Sequence, residues 1–176
     1  MSILLALALL AGAPQPAEDA NDTHNDMPDA VADEHPEARV YTEGSEVHFS
    51  IADAFTEAAI SDKRVIIVMG ANWCHDSRAL AGWFETPRFK TMLKPLYEIV
   101  YVDAGTPQRR GEARNQDIVK RFKGKKQKNT PYVMIISPYG SKLLNRKDAR
   151  SWRNAASRSE DEIYDYFANA EWEKKE

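Results

Sequence analysis

The sequence has a single cysteine, Cys74, in 176 residues. No intramolecular disulfide can form, and a structural zinc site built from several thiolates is excluded. At the N-terminus the apolar run Ile3–Leu10 falls well short of the roughly 20 residues that a membrane-spanning helix needs. Small residues, Ala11-Gly12-Ala13, and a polar, proline-containing stretch follow it. This is the length of a signal-peptide core, although no Lys or Arg precedes it and Pro14 directly follows Ala13. Residues 1–17 are therefore read as a signal peptide cut after Ala17, or as an uncleaved anchor that would be the chain's one tie to a membrane. The expected location is outside the cytoplasm, in a bacterial periplasm.

Basic residues are missing from Glu18 to Glu37, which holds eight acidic ones. Large apolar residues are scarce there, and Pro28 and Pro36 interrupt it. Such a stretch buries too little surface to offset the entropy of ordering. Residues 18–39 are expected to form an acidic disordered linker, with the folded domain running from Val40 to Glu176. His24 and His35, with Asp22, Asp26, Asp33 and Glu34, would hold a metal only weakly in a solvated linker, and no metal site is expected. A one-signed charge excess is also lacking overall: the net charge is -3, which argues against a whole-surface nucleic-acid binder.

The remaining chain alternates helical and strand patterns. Ser50 followed by Ile51, Phe55, Ala58 and Ala59 reads as a capped amphipathic helix closed by Lys63-Arg64. Val65–Met69 is a continuous apolar run, as in a strand covered on both faces. Gly70-Ala71-Asn72 makes a loop, and a helix runs from Trp73 to Phe84, with a further turn over Phe89–Leu93. Tyr97–Val102 is a second strand, Glu112–Phe122 a helix, Tyr132–Ile136 a third strand and Lys142–Leu144 a short fourth. Ser159 and Glu162 form a capping box ahead of a final helix carrying Ile163, Tyr166, Phe167 and Ala170. The order gives an α/β fold, a mixed central sheet flanked by helices, in one domain.

Cys74 follows a buried strand and a short loop and begins a helix. Unpaired backbone N–H groups and the positive end of the helix dipole converge on such a position. The setting favours thiolate, the nucleophile of disulfide exchange, over thiol. A cysteine kept for packing belongs more naturally mid-helix or mid-strand. Ser77, one turn on, can donate a hydrogen bond to the thiolate or stand as an inert residue. His75 can stabilise the thiolate or move a proton, and Asp76 suits the helix N-terminus; both read equally well as a solvated pair. Cys74, His75 and Asp76 do not face one point on a helix and form no metal site. Trp73 is expected to pack beside the sulfur and shield it.

The strand Val65–Met69, then Ala71-Asn72-Trp73-Cys74-His75-Asp76-Ser77-Arg78, then Thr130-Pro131 before a strand, together resemble the thioredoxin superfamily from about Ser50 to Ala170. The resemblance implies a thioredoxin-like fold, a cis Pro131 beside Cys74 and a Thr130 backbone free to pair with an extended substrate. Two departures stand out. Ser77 replaces the second cysteine, giving Cys-x-x-Ser, and Val68 holds the place of a buried acid six residues before the first. Without a resolving thiol, the resemblance implies monothiol exchange of an isomerase-like or glutathione-dependent kind. Its partners would be cysteine-containing proteins or glutathione, with no bound cofactor and no nucleic acid.

Lys120, Arg121, Lys123, Lys125, Lys126 and Lys128 precede Thr130-Pro131. They read either as a solvated helix end or as an anion-attracting rim. In glutaredoxin-like relatives a basic residue ahead of the cis-proline helps to hold a glutathione carboxylate, which Lys128 or Lys126 would do here. The acidic stretch 18–37 is expected to fold back on this rim and partly cover the site. The competing function is a binding or chaperone-like module on the same fold, using the cis-proline groove without turnover. A peroxidase of the peroxiredoxin kind is unsupported, because Ala71 stands where that family's Thr-x-x-Cys motif needs threonine.

Overall fold

The computed structural model describes residues 35–42, 46–105, 114–140 and 142–168. The expected signal peptide and most of the acidic linker, residues 1–34, lie outside them, as do Glu112, Ala170 and the final residues. No described helix is long and apolar enough to cross a membrane.

Among the described residues, three strands form the sheet in the order β2-β1-β3. The central strand, β1 (Arg64–Gly70), pairs parallel with β2 (Tyr97–Asp103), Ile67 opposite Val100, and antiparallel with β3 (Tyr132–Ile136), Ile67 opposite Met134. A central strand with both faces covered has no solvent side to make polar, which explains its unbroken apolar run.

Alternate residues of these strands feed two cores. Val65, Ile67 and Met69 pack with Val100, Val102, Met134 and Ile136 beneath α1 (Val47–Ser61) and α4 (Gln116–Arg121), which contribute Ile51, Ala58, Ile118 and Val119. Ile66, Val68, Val133 and Ile135 face the other way. They meet α2 (His75–Glu85), α3 (Pro87–Leu93), a 3-10 helix (Ser151–Ser157) and α5 (Glu160–Ala168) through Leu80, Phe84, Phe89, Trp152, Ile163 and Phe167. Val68, standing where relatives keep a buried acid, is fully buried in this second core. The architecture is thus the α/β fold with a mixed sheet that the sequence implied.

Several boundaries differ from expectation. The first helix begins at Val47, and Ser50 lies inside it with its hydroxyl bonded back to the Glu46 carbonyl instead of capping ahead. Of the expected fourth strand only a bridge between Leu143 and Ile136 forms. The described part of the fourth helix starts at Gln116, after Asn115 in left-handed conformation. The capping box forms as read, Ser159 N–H donating to Glu162 and Glu162 N–H to Ser159 Oγ.

The domain also reaches further back than Val40. Residues 35–42 lie as an extended strap along the start of α2, so the expected linker ends before His35. A Cβ on Gly82 would overlap the backbone of Pro36, and one on Gly70 would overlap the Tyr41 ring. These two glycines let the strap approach the helix and the end of β1.

Candidate functional site

The end of β1 delivers the chain to a tight loop, and the loop delivers Cys74 to the N-cap of α2. Cys74 is extended (φ -87, ψ 120), its N–H donates to the Ala71 carbonyl at 3.0 Å, and its carbonyl accepts from Arg78 N–H at 3.1 Å. Cys74 is 9% exposed as a residue, and its sulfur lies 3.5 Å from the Thr130 carbonyl oxygen. The Thr130–Pro131 peptide is cis, and Pro131 is buried at the start of β3. Antiparallel pairing of β3 with β1 brings residues 56 apart in sequence into contact here.

The neighbours of Cys74 divide by role. Trp73 is 48% exposed and donates from Nε1 to the Gly105 carbonyl at 2.6 Å, so it closes over the loop after β2. Ser77 is fully buried, and among the described residues its Oγ has no hydrogen-bond partner; of its two readings, donor to Cys74 or inert residue, the bond is not formed. Asp76 is not part of a solvated pair: its carboxylate accepts from Ala156 N–H at 3.0 Å and ties α2 to the 3-10 helix. His75 is exposed, with Nδ1 2.9 Å from Glu37 Oε1 and Nε2 3.0 Å from His35 Nε2. Lys126 and Lys128 extend into solvent, Lys128 two residues ahead of Thr130, while Gln127 between them turns inward and accepts from Gln116.

The strap supplies contacts that composition hid. Glu37 accepts from Arg78 at 2.8 and 3.2 Å. Its carboxyl is held below the ordinary range mainly by the Arg78 hydrogen bonds, with His75 adding to the effect. Ala38 N–H donates to the Arg78 carbonyl, and Arg39 and Arg78 both donate to the Asn72 carbonyl. The Asn72 side chain brackets Tyr41, accepting from its N–H and donating to its carbonyl at 2.7 Å. The Tyr41 hydroxyl, pushed well up by burial, stays protonated and donates to the Ser77 carbonyl at 3.2 Å. Strap, loop and first turn of α2 are therefore one hydrogen-bonded unit. Arg78 and Asn72 stood in the quoted motif; Tyr41 and Glu37 had no signal beyond a lone aromatic after an acidic run.

A strand, a short loop and a helix opened by cysteine, faced by a cis-proline ahead of an antiparallel strand, define the thioredoxin-like class of proteins. The profile of the Thioredoxin-like family matches residues 46–138, and the chain belongs to that family. Among solved structures, the disulphide isomerase from Xylella fastidiosa Temecula1 is similar at 25% identity and a TM-score of 0.65, over 74% of this chain and 95% of that one. No curated protein matches the sequence.

Proposed function

We propose that the protein performs thiol-disulfide exchange as a monothiol, with Cys74 the nucleophile. The observation that carries this reading is the Cys74 sulfur at the first turn of α2, 3.5 Å from the Thr130 carbonyl beside a cis Pro131. The likeness to a disulphide isomerase supports it. In the first step the thiolate attacks one sulfur of a disulfide; a mixed disulfide with Cys74 forms, the old S–S bond breaks, and the other sulfur leaves as thiolate. In the second, an outside thiolate attacks the substrate sulfur of that bond, and Cys74 leaves as thiolate. The second thiol comes from glutathione or from the substrate itself, because Ser77 offers none. When the substrate supplies it, the net change is isomerisation without oxidation.

Trp73, Thr130, Pro131 and Lys128 are assigned to substrate contact, and His75 to protonating the departing thiolate. Ser77 is the donor the thiolate meets if its free hydroxyl rotates toward it. The reaction is placed outside the cytoplasm, where disulfides persist, on the strength of the Ile3–Leu10 run.

The test is incubation of the reduced protein with oxidised glutathione, followed by intact mass and then by addition of reduced thiol. The expected result is one glutathione adduct on Cys74, removed by the thiol. An adduct that forms only in denaturant would reject exchange and favour the second reading, a binding module on the same fold. The burial of Cys74 is the observation on that reading's side.

A further inference from the structure

The strap brings together three side chains that the sequence keeps 38 to 40 positions apart or places in a presumed linker: His35, Glu37 and His75. One donor atom from each lies within 4.8 Å of the other two. We propose that they form a binding site for a divalent transition-metal ion of the zinc class, which pins the strap to the first turn of α2.

The argument starts from the two imidazoles. Their Nε2 atoms are 3.0 Å apart, with ring centroids 4.6 Å apart and planes inclined at 59°. Two nitrogens bound to one ion at roughly 2.0–2.1 Å stand about 2.9 Å apart at a right angle and about 3.4 Å apart at the tetrahedral angle. The observed separation falls inside that interval, so an ion fits with little ring movement. Tautomers agree. A carboxylate only accepts hydrogen bonds, so His75 Nδ1, facing Glu37 Oε1 at 2.9 Å, carries the proton. The neutral ring then presents its lone pair at Nε2, toward His35. A carboxylate on the far nitrogen of a ligating histidine fixes ring orientation and raises ligand basicity, and Arg78 in turn fixes that carboxylate.

His35 would bind through Nε2 as the tautomer with its proton on Nδ1, a buried atom without a hydrogen-bond partner among the described residues, so it contributes its Nε2 position to the site and no outer hydrogen bond. Two imidazoles with an adjacent carboxylate suit Zn2+, Cu2+ or Ni2+ better than Mg2+ or Ca2+, which prefer all-oxygen sets. Water would complete the coordination on the exposed side of His75. Cys74 is not among the grouped donors, so the ion needs no thiol. With Nε2 on the ion and Nδ1–H held by Glu37, His75 has no proton for a departing thiolate, so metal binding and that proton transfer exclude each other.

The experiment is calorimetric titration of the full chain with ZnCl2, run on the wild type and on H35Q, H75Q, E37Q and C74S, with circular dichroism confirming that each is folded. The wild type should bind one ion in this site. H35Q and H75Q should each weaken it at least tenfold, E37Q about tenfold, as for other partners of metal-bound histidines, and C74S not at all. Zn2+ should also raise the Tm of the wild type and leave that of H35Q unmoved. Undiminished affinity in either histidine variant would overturn the proposal, as would loss of binding in C74S, since the ion would then sit on the thiolate. An absence of saturable binding in the wild type overturns it as well.

Discussion

The two flanks of Cys74 are built differently. On one side the strap 35–42, Asn72, Arg78 and Tyr41 form a dense lattice of hydrogen bonds whose members are largely committed to each other. On the other, the segment 120–130 carries six basic side chains in solvent and reaches the sulfur only through the Thr130 carbonyl. A flank whose donors and acceptors are already paired positions the thiol. A flank of exposed basic charge suits the receiving of an anionic substrate. The sharpest way to break this division is to remove the atom between the flanks: Cys74→Ser should abolish glutathione adduct formation entirely while leaving the fold intact, read by mass and circular dichroism. An adduct surviving in this variant has no thiol to reside on and would overturn the assignment of the centre.

The positioning flank should be the fragile one. In Gly70→Ala the new methyl overlaps the Tyr41 ring, and that ring is buried at the end of β1 with its hydroxyl committed to Ser77. Overpacking of this kind costs about 1–3 kcal/mol, measurable as a lower urea midpoint at unchanged slope. The exchange rate should fall with it, because Asn72 and Tyr41 hold the loop that delivers Cys74. A Gly70→Ala protein as stable as the wild type would show that the strap only rests on the domain.

How much of this was legible follows the same division. β1 and the cysteine at the start of α2 could be read, because a doubly covered strand and a strand-to-helix junction leave strong patterns in apolar spacing, whereas the Thr130-Pro131 turn was legible only through the resemblance to the thioredoxin superfamily. The strap could not. Its order comes from individual polar contacts, Glu37 with Arg78 and Asn72 with the Tyr41 backbone, and an averaged composition registers only the acidity. The same blindness turned Asp76, which docks the 3-10 helix, into a solvated residue. It also left Ser77 open between a donor to Cys74 and an inert residue, and among the described residues its Oγ has no partner. Lys142–Leu144 failed as a strand for another reason: Leu143 bridges Ile136 and Leu144 N–H donates to the Ile135 carbonyl, but the pairing stops at that single bridge.

The receiving flank should respond in rate rather than stability. Lys125, Lys126 and Lys128 are exposed, so replacing all three with Gln should leave unfolding nearly unchanged. Reaction with oxidised glutathione, an anion, should slow by about threefold at low salt, since a basic rim raises the local concentration of anionic substrates. Near 1 M salt, where charges are screened within about 3 Å, the difference should vanish. A neutral disulfide should show no difference at any salt. Equal slowing for both substrates would mean that the lysines shape the Thr130 turn instead of attracting charge.

The smallest effect, and the one that tests the positioning flank by its electrostatics alone, belongs to Glu37. Its carboxyl titrates below the ordinary 4.5 in the folded protein, chiefly because Arg78 donates to it. A folded pKa below the unfolded one stabilises the fold above about 4.5, and that contribution is lost as pH falls through the folded value. The pair is partly exposed, so screening limits its worth to about 0.5 kcal/mol. Glu37→Gln should therefore lower stability slightly at pH 7, and the gap from the wild type should close as the pH drops below the ordinary carboxylate range. Parallel stability curves that never converge would show that Glu37 acts through the shape of its hydrogen bonds and not through its charge. The strap would then be a neutral clasp, with its hold on the start of α2 insensitive to acid.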